Sequence, residues 1–137
     1  WVRNRSPRQR SVMRQQISTH LAPAAIGPYS QAIRVGDLLF VSGQVPVDPA
    51  TGQFVPGDIS TQAQQTMRNL MAIVQEAGFT PGDIVKTTCL LADMADFARF
   101  NEVYGSFFVS EPPARETYEV AALPLGARVE VSAICAR

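Results

Sequence analysis

By residue type, Arg115, Glu130, His20, Cys89 and Cys135 are the side chains that could do chemistry. A guanidinium fork binds a carboxylate through two parallel hydrogen bonds, and a carboxylate orients water or takes its proton. Position alone assigns neither role. An Arg at a strand start beside acids usually forms a surface ion pair worth about 0–1 kcal/mol. Glu130 is equally placed to pair with Arg115 or Arg128 across a sheet. His20 stands alone near the N-terminus with no Cys, His or clustered carboxylates at ligand spacing, so no zinc site is expected. Cys89 and Cys135 fall at strand positions facing apolar neighbours and read as inert buried thiols.

Composition bounds the setting of these residues. The chain has 137 residues, 46% hydrophobic and 18% charged, with two Cys. That suits one domain, which buries roughly two-thirds of its unfolded surface without staples. No apolar run approaches the ~20 residues that span a bilayer, and two Cys fit a reducing compartment. The zero net charge is uneven. Residues 1–12 hold Arg3, Arg5, Arg8 and Arg10 and no acid, leaving 8 basic and 12 acidic residues, a net of −4, over residues 13–137. An acidic body disfavours nucleic acid and anionic membrane as partners. Residues 1–16 are expected to be a disordered extension, and residues 17–137 the domain. The Arg-rich start reads as an over-called start or, less favoured, an organelle transit remnant. The expected location is accordingly cytoplasmic, with an organelle as the alternative.

The elements that must position the candidates follow from period and punctuation. Ala32–Val35 and Leu38–Ser42 flank Gly36-Asp37 and predict a hairpin. Gly43 to Gly52, rich in Pro and Gly, predicts a loop. Asp58 or Ser60 caps a helix whose apolar stripe is Ala63, Met67, Leu70, Met71, Val74 and Ala77, with Gly78 as its stop. Gln62, Gln65, Arg68 and Asn69 fall outside that stripe. Ile84–Leu91 is a strand. Asp93 caps a second helix with Asp96 in its first turn, and its stripe of Phe97, Phe100, Tyr104 and Phe107 reads as ordinary core. Strands Ala114–Ala121 and Arg128–Cys135, joined by Leu123-Pro124-Leu125-Gly126, close the chain.

The predicted order is ββαβαββ, an α+β fold with two helices on one face of a mixed sheet. Val129, Val131, Ala133 and Cys135 alternate toward the helices, and Arg128, Glu130, Ser132 and Ile134 away from them. Arg115, Thr117 and Glu119 share a face, assigned with Glu130 to the open side. Leu38, Phe40, Leu90 and Ile134 would be exposed on that side, which predicts an oligomer covering it.

Four segments, in order, carry a resemblance. They are Ala25-Ile26-Gly27-Pro28-Tyr29-Ser30-Gln31-Ala32, Val41-Ser42-Gly43-Gln44-Val45-Pro46-Val47, Gly82-Asp83-Ile84-Val85-Lys86-Thr87-Thr88, and Pro113-Ala114-Arg115 with Val129-Glu130-Val131. Together they closely resemble the RidA (YjgF-type, L-PSP) family of imine and enamine deaminases, from about Ile17 to Ala136. The resemblance implies a chorismate-mutase-like fold and a homotrimer with a central barrel of sheets and three clefts between subunits. It also implies hydrolysis of 2-imino acids, such as 2-iminobutanoate and 2-iminopropanoate, to 2-keto acids and ammonia, with no cofactor. By the same resemblance Arg115 anchors the substrate carboxylate and Glu130 orients water. Tyr29, Ser42, Gly43 and Asn101 line the cleft, Gly43 admitting a ligand to its backbone.

Two departures bear on substrate preference. Glu116-Thr117 replaces the family's small residue and Cys, so Thr117 offers a hydroxyl where a thiol is usual, and the loop Val109–Pro112 is short. Rival readings are an endoribonuclease, opposed by the −4 body and single His, a non-catalytic ligand sensor or chaperone using the same clefts, and, on fold analogy alone, a chorismate mutase.

Overall fold

A computed structural model describes residues 13–137. The sheet starts at β1 (Gln15–Ile17), two residues ahead of the expected boundary, with Gln16 opposite Ile33. The predicted hairpin is β2 (Ala32–Val35) and β3 (Leu38–Gln44), and Gly36 supplies the left-handed turn residue at φ 58°. Where a plain loop was expected, β4 (Val47–Asp48) pairs with β5 (Gln53–Phe54) as a small separate hairpin. Asp48 closes that turn, its side chain accepting from Ala50 N–H at 2.9 Å and its carbonyl from Gly52 N–H at 2.8 Å.

Helix α1 (Ile59–Glu76) begins at Asp58, whose carboxylate accepts from Thr61 N–H at 3.0 Å. It ends at Gly78, φ 83°, with Gly78 N–H bonded to Gln75 C=O and Phe79 N–H to Val74 C=O, both at 3.0 Å. That pairing is a Schellman stop, and it explains why a glycine ends this helix. The stripe Ala63, Met67, Leu70, Met71 and Val74 is buried as predicted. Asn69 corrects the reading. Off the stripe yet fully buried, it donates to Val45 C=O at 3.0 Å and Val47 C=O at 2.8 Å. A buried amide is tolerable when bonded in this way.

β6 (Ile84–Leu91) leads through a 3-10 turn capped by Asp93 into α2 (Phe97–Gly105), then β7 (Ala114–Glu119) and β8 (Val129–Ala136). The six-stranded sheet has the order β1-β2-β3-β8-β6-β7, antiparallel except for the parallel pair β6–β7. Both helices lie on one face. Met67, Leu70, Ile73 and Phe100 pack there against Leu39, Cys89, Val129 and Val131, all fully buried. The other face leaves Leu38 and Phe40 exposed by 42% and 43%, with Leu90 and Ile134 half-buried beside them. No helix among the described residues is long and apolar enough to cross a membrane.

Candidate active site

The predicted residues fall into two groups, one on each face of the sheet. The first forms around an irregularity in β3. Val41 pairs with Ala133 and Gln44 with Val131, so Ser42 and Gly43 together oppose Ser132. Such a bulge re-aims the chain locally. Gly43 there lies so close to Glu130 that a Cβ on it would sit 2.5 Å from Glu130 Oε2 and 2.8 Å from Cδ. Ser42 Oγ donates to Ser30 C=O at 2.6 Å, tying the bulge to the segment that carries Tyr29. Tyr29, half exposed, joins Ser42, Gly43 and Glu130 in lining a cavity of about 670 Å³. Burial pushes the Glu130 carboxyl above the ordinary glutamate range. Neither predicted ion pair of Glu130 forms: Arg128 lies 3.7 Å from Asp96, and Arg115 bonds elsewhere.

If Glu130 takes part in turnover, Gly43→Ala is expected to act on activity and not on the fold. A backbone without positive φ accepts Ala, while the new methyl displaces the end of a flexible side chain. Misplacing a reacting group by about 1 Å costs on the order of a hundredfold. Steady-state assays should show that loss in kcat/KM with a melting temperature within a few degrees of wild type. Unchanged kcat/KM would mean the close approach is idle.

The second group sits under α2. Thr87 pairs with Arg115 and Cys89 with Thr117 across the parallel ladder, and Thr87 and Cys89 are fully buried. Arg115 and Thr117 therefore face the helices, and the assignment of Arg115, Thr117 and Glu119 to the open side is wrong. The opposite set does face outward: Glu116 pairs with Lys86 at 3.1 Å. Arg115 Nη1 donates to Asn101 Oδ1 at 2.8 Å, and its guanidinium lies over the rings of Tyr104 (4.8 Å) and Phe97 (5.4 Å). The Tyr104 hydroxyl shares a 2.7 Å hydrogen bond with Thr87 Oγ1, fixing the ring. Thr117 Oγ1 is buried with no partner among the described residues.

Tyr104 and Phe97 were read as core, yet they make the bed for the guanidinium. Phe97, Asn101 and Tyr104 are spaced i, i+4, i+7, one helix face, so their periodicity already groups Asn101 with the two rings. Cys89 and Cys135 are buried thiols, their pKa values pushed up by burial to about 11 and about 12. Among the described residues, no three His, Cys, Asp or Glu side chains gather to hold a metal.

Comparison with known proteins gives these groups a context. The family described as "Endoribonuclease L-PSP" matches residues 19–137. The RutC family protein y4sK of Sinorhizobium fredii is 57% identical over 122 residues, covering 89% of this chain and 97% of its own. The 2-iminobutanoate/2-iminopropanoate deaminase of Mus musculus is 52% identical over 124 residues, 90% of this chain and 92% of its own. The crystal structure of E. coli TdcF with bound serine superimposes with a TM-score of 0.87 at 44% identity, covering 90% of this chain and 98% of that one. Matched by the family over residues 19–137 and by these relatives along nine-tenths of its length, this chain belongs to the RidA (YjgF-type, L-PSP) family.

Proposed function

We propose that the protein hydrolyses 2-imino acids to 2-keto acids and ammonia in clefts between the subunits of a homotrimer whose sheets form a central barrel. One observation carries the reading. Arg115 is a half-buried guanidinium with no carboxylate within ion-pair reach among the described residues, on the sheet face opposite Glu130. A cation held this firmly with donors to spare suits an incoming carboxylate. Its separation from Glu130 within one copy means that a site using both must draw them from two copies. The apolar open face with Leu38 and Phe40 gives those copies a surface to share.

In that cleft Arg115 of one copy, held by Asn101, binds the substrate carboxylate and fixes C2. Glu130 of the next copy takes a proton from water as the oxygen bonds to C2 and the C=N π electrons move to nitrogen. Returning that proton to nitrogen gives the neutral carbinolamine, and Glu130 then relays the hydroxyl proton to nitrogen as the C–N bond breaks, so that ammonia leaves and the ketone forms. A carboxyl with a raised pKa performs both transfers near neutrality better than an ordinary one. Tyr29, Ser42 and Gly43 line the same cleft, and Thr117 backs the anchor. The similarity to the mouse deaminase supports this chemistry. Serine, the molecule bound in E. coli TdcF, carries the same kind of α-carboxylate. The −4 charge of residues 13–137 runs against RNA cleavage.

A mixing experiment tests the shared site. Arg115→Ala and Glu130→Gln chains, each inactive alone, should regain about a quarter of wild-type ketoacid formation when co-expressed, because random assembly pairs an intact Arg115 with an intact Glu130 in that share of clefts. A mixture as inactive as its parents would place both residues' work within one copy or outside the reaction.

A further inference from the structure

The cavity beside Glu130 holds more than the reacting atoms need. Past Ser42, Gly43 and Glu130 its walls are apolar: Ile26, Val47, Phe54, Pro124 and Leu125. About 670 Å³ is in the range that takes drug-sized ligands, well beyond what a three- or four-carbon acid fills. Two of these side chains gain almost nothing from the fold. Ile26 is 89% exposed and Leu125 82% exposed. Leu125 is moreover held in the left-handed region, φ 53°, and is the sole described non-glycine residue there. Leu is poorly suited to that conformation, and backbone outliers of this kind gather at functional sites. The part of the wall that carries Val45 and Val47 is held in place. Buried Asn69 grips the carbonyls of Val45 and Val47, and Gln65 in turn donates to Asn69 Oδ1 at 2.9 Å.

We infer that Ile26 and Leu125 are specificity-determining residues: they close an apolar chamber on the substrate's side chain and select imino acids with bulky aliphatic groups, of the kind derived from leucine. The inference rests on the deaminase reading. C2 of a 2-imino acid has three substituents. With the carboxylate on Arg115 and the C=N carbon beside Glu130, the side chain is directed into the remaining space. A small methyl leaves that space wet, whereas an isobutyl group covers Ile26 and Leu125 and is covered by them. Each buried methylene is worth about fourfold in kcat/KM. The leucine-derived imine should therefore exceed the alanine-derived one by at least about tenfold.

The test uses the full chain and two readouts. Imines are generated in situ from leucine and from alanine by an amino-acid oxidase, and ketoacid formation gives a kcat/KM ratio. Titration calorimetry with 4-methyl-2-oxopentanoate and with pyruvate gives an affinity ratio that needs no turnover. Leu125→Asn keeps a side chain suited to positive φ and removes the apolar surface, and Ile26→Ser does the same from the other lip. Both ratios should favour the larger acid in wild type and fall about threefold or more in each variant. Equal kcat/KM for the two imines, or ratios untouched by both substitutions, overturns the inference and leaves the deaminase reading intact. Graded affinity without hydrolysis of any imine keeps the chamber and overturns the deaminase. Neither binding nor turnover overturns both.

Discussion

Replacing Arg115 with Ala should reduce ketoacid formation from 2-iminopropanoate by roughly 30- to 5000-fold in kcat/KM. Leaving a carboxylate without its buried, hydrogen-bonded cation costs about 2–5 kcal/mol, and about 1.4 kcal/mol is a factor of ten. The split between constants is informative. A contact made equally in ground and transition states appears in KM, whereas one that aims C2 at water also lowers kcat. Arg115→Lys keeps the charge but cannot span two carboxylate oxygens and should recover only part of the loss. The anchor also packs on Phe97 and Tyr104, so Ala removes some stability along with the charge. A melting curve separates the two effects. The assay generates the imine in situ with an amino-acid oxidase and traps what escapes with semicarbazide. An Arg115→Ala protein with wild-type kcat/KM would end the anchoring role.

That anchor also shows where sequence reading stops. Arg115 was singled out from Pro113-Ala114-Arg115, but the face it occupies was not legible. β7 reads Ala-Arg-Glu-Thr-Tyr-Glu, a strand with no apolar alternation to say which side meets the core. The face is set by the parallel pairing with β6, where Arg115 lies opposite buried Thr87, a long-range fact outside any local window. β8 is the opposite case. Its strict alternation of buried and half-buried residues was readable, because a sheet buried on one side imposes period two.

Helix α1 divides in the same way. The apolar stripe, the Gly78 stop and a cap at Asp58 or Ser60 follow from local rules; the stripe and the stop match, and Asp58 is the cap of the two. Asn69 does not, because polarity placed it toward solvent while its partners are carbonyls more than twenty residues away. Ser42 and Gly43 were singled out from their motif, and both line the cavity beside Glu130. The bulge that turns them toward Glu130 depends on the register with β8 and was not. The chamber residues Ile26 and Leu125 passed unnoticed because single exposed apolar residues are common. Only their meeting at one cavity gives them meaning.

Glu130→Gln should lower ketoacid formation by about 10²- to 10⁴-fold, the usual share of a positioned acid–base group. Gln preserves shape beside Gly43, so the loss reports on the proton and not on packing. The pH profile carries the sharper expectation. Burial raises the Glu130 pKa above the ordinary value of 4.5, and in the proposed mechanism the carboxylate is the form that takes water's proton. Wild-type kcat/KM should therefore be full above the raised pKa and fall as pH drops through it, with an acid limb centred above 4.5. The stability linkage has the opposite sense. A carboxyl that holds its proton more tightly folded than unfolded favours the fold below the unfolded pKa, and that contribution is lost as pH rises through the folded value. Above its folded pKa Glu130 is thus a charge kept at some cost to the fold, and there the Gln variant should melt no lower than wild type while turning over far more slowly. A residue serving only the fold would show the reverse: a lower melting temperature and unchanged kcat/KM. A cleft that only binds would keep its 2-oxo acid affinity in both proteins, with no turnover in wild type for the substitution to remove.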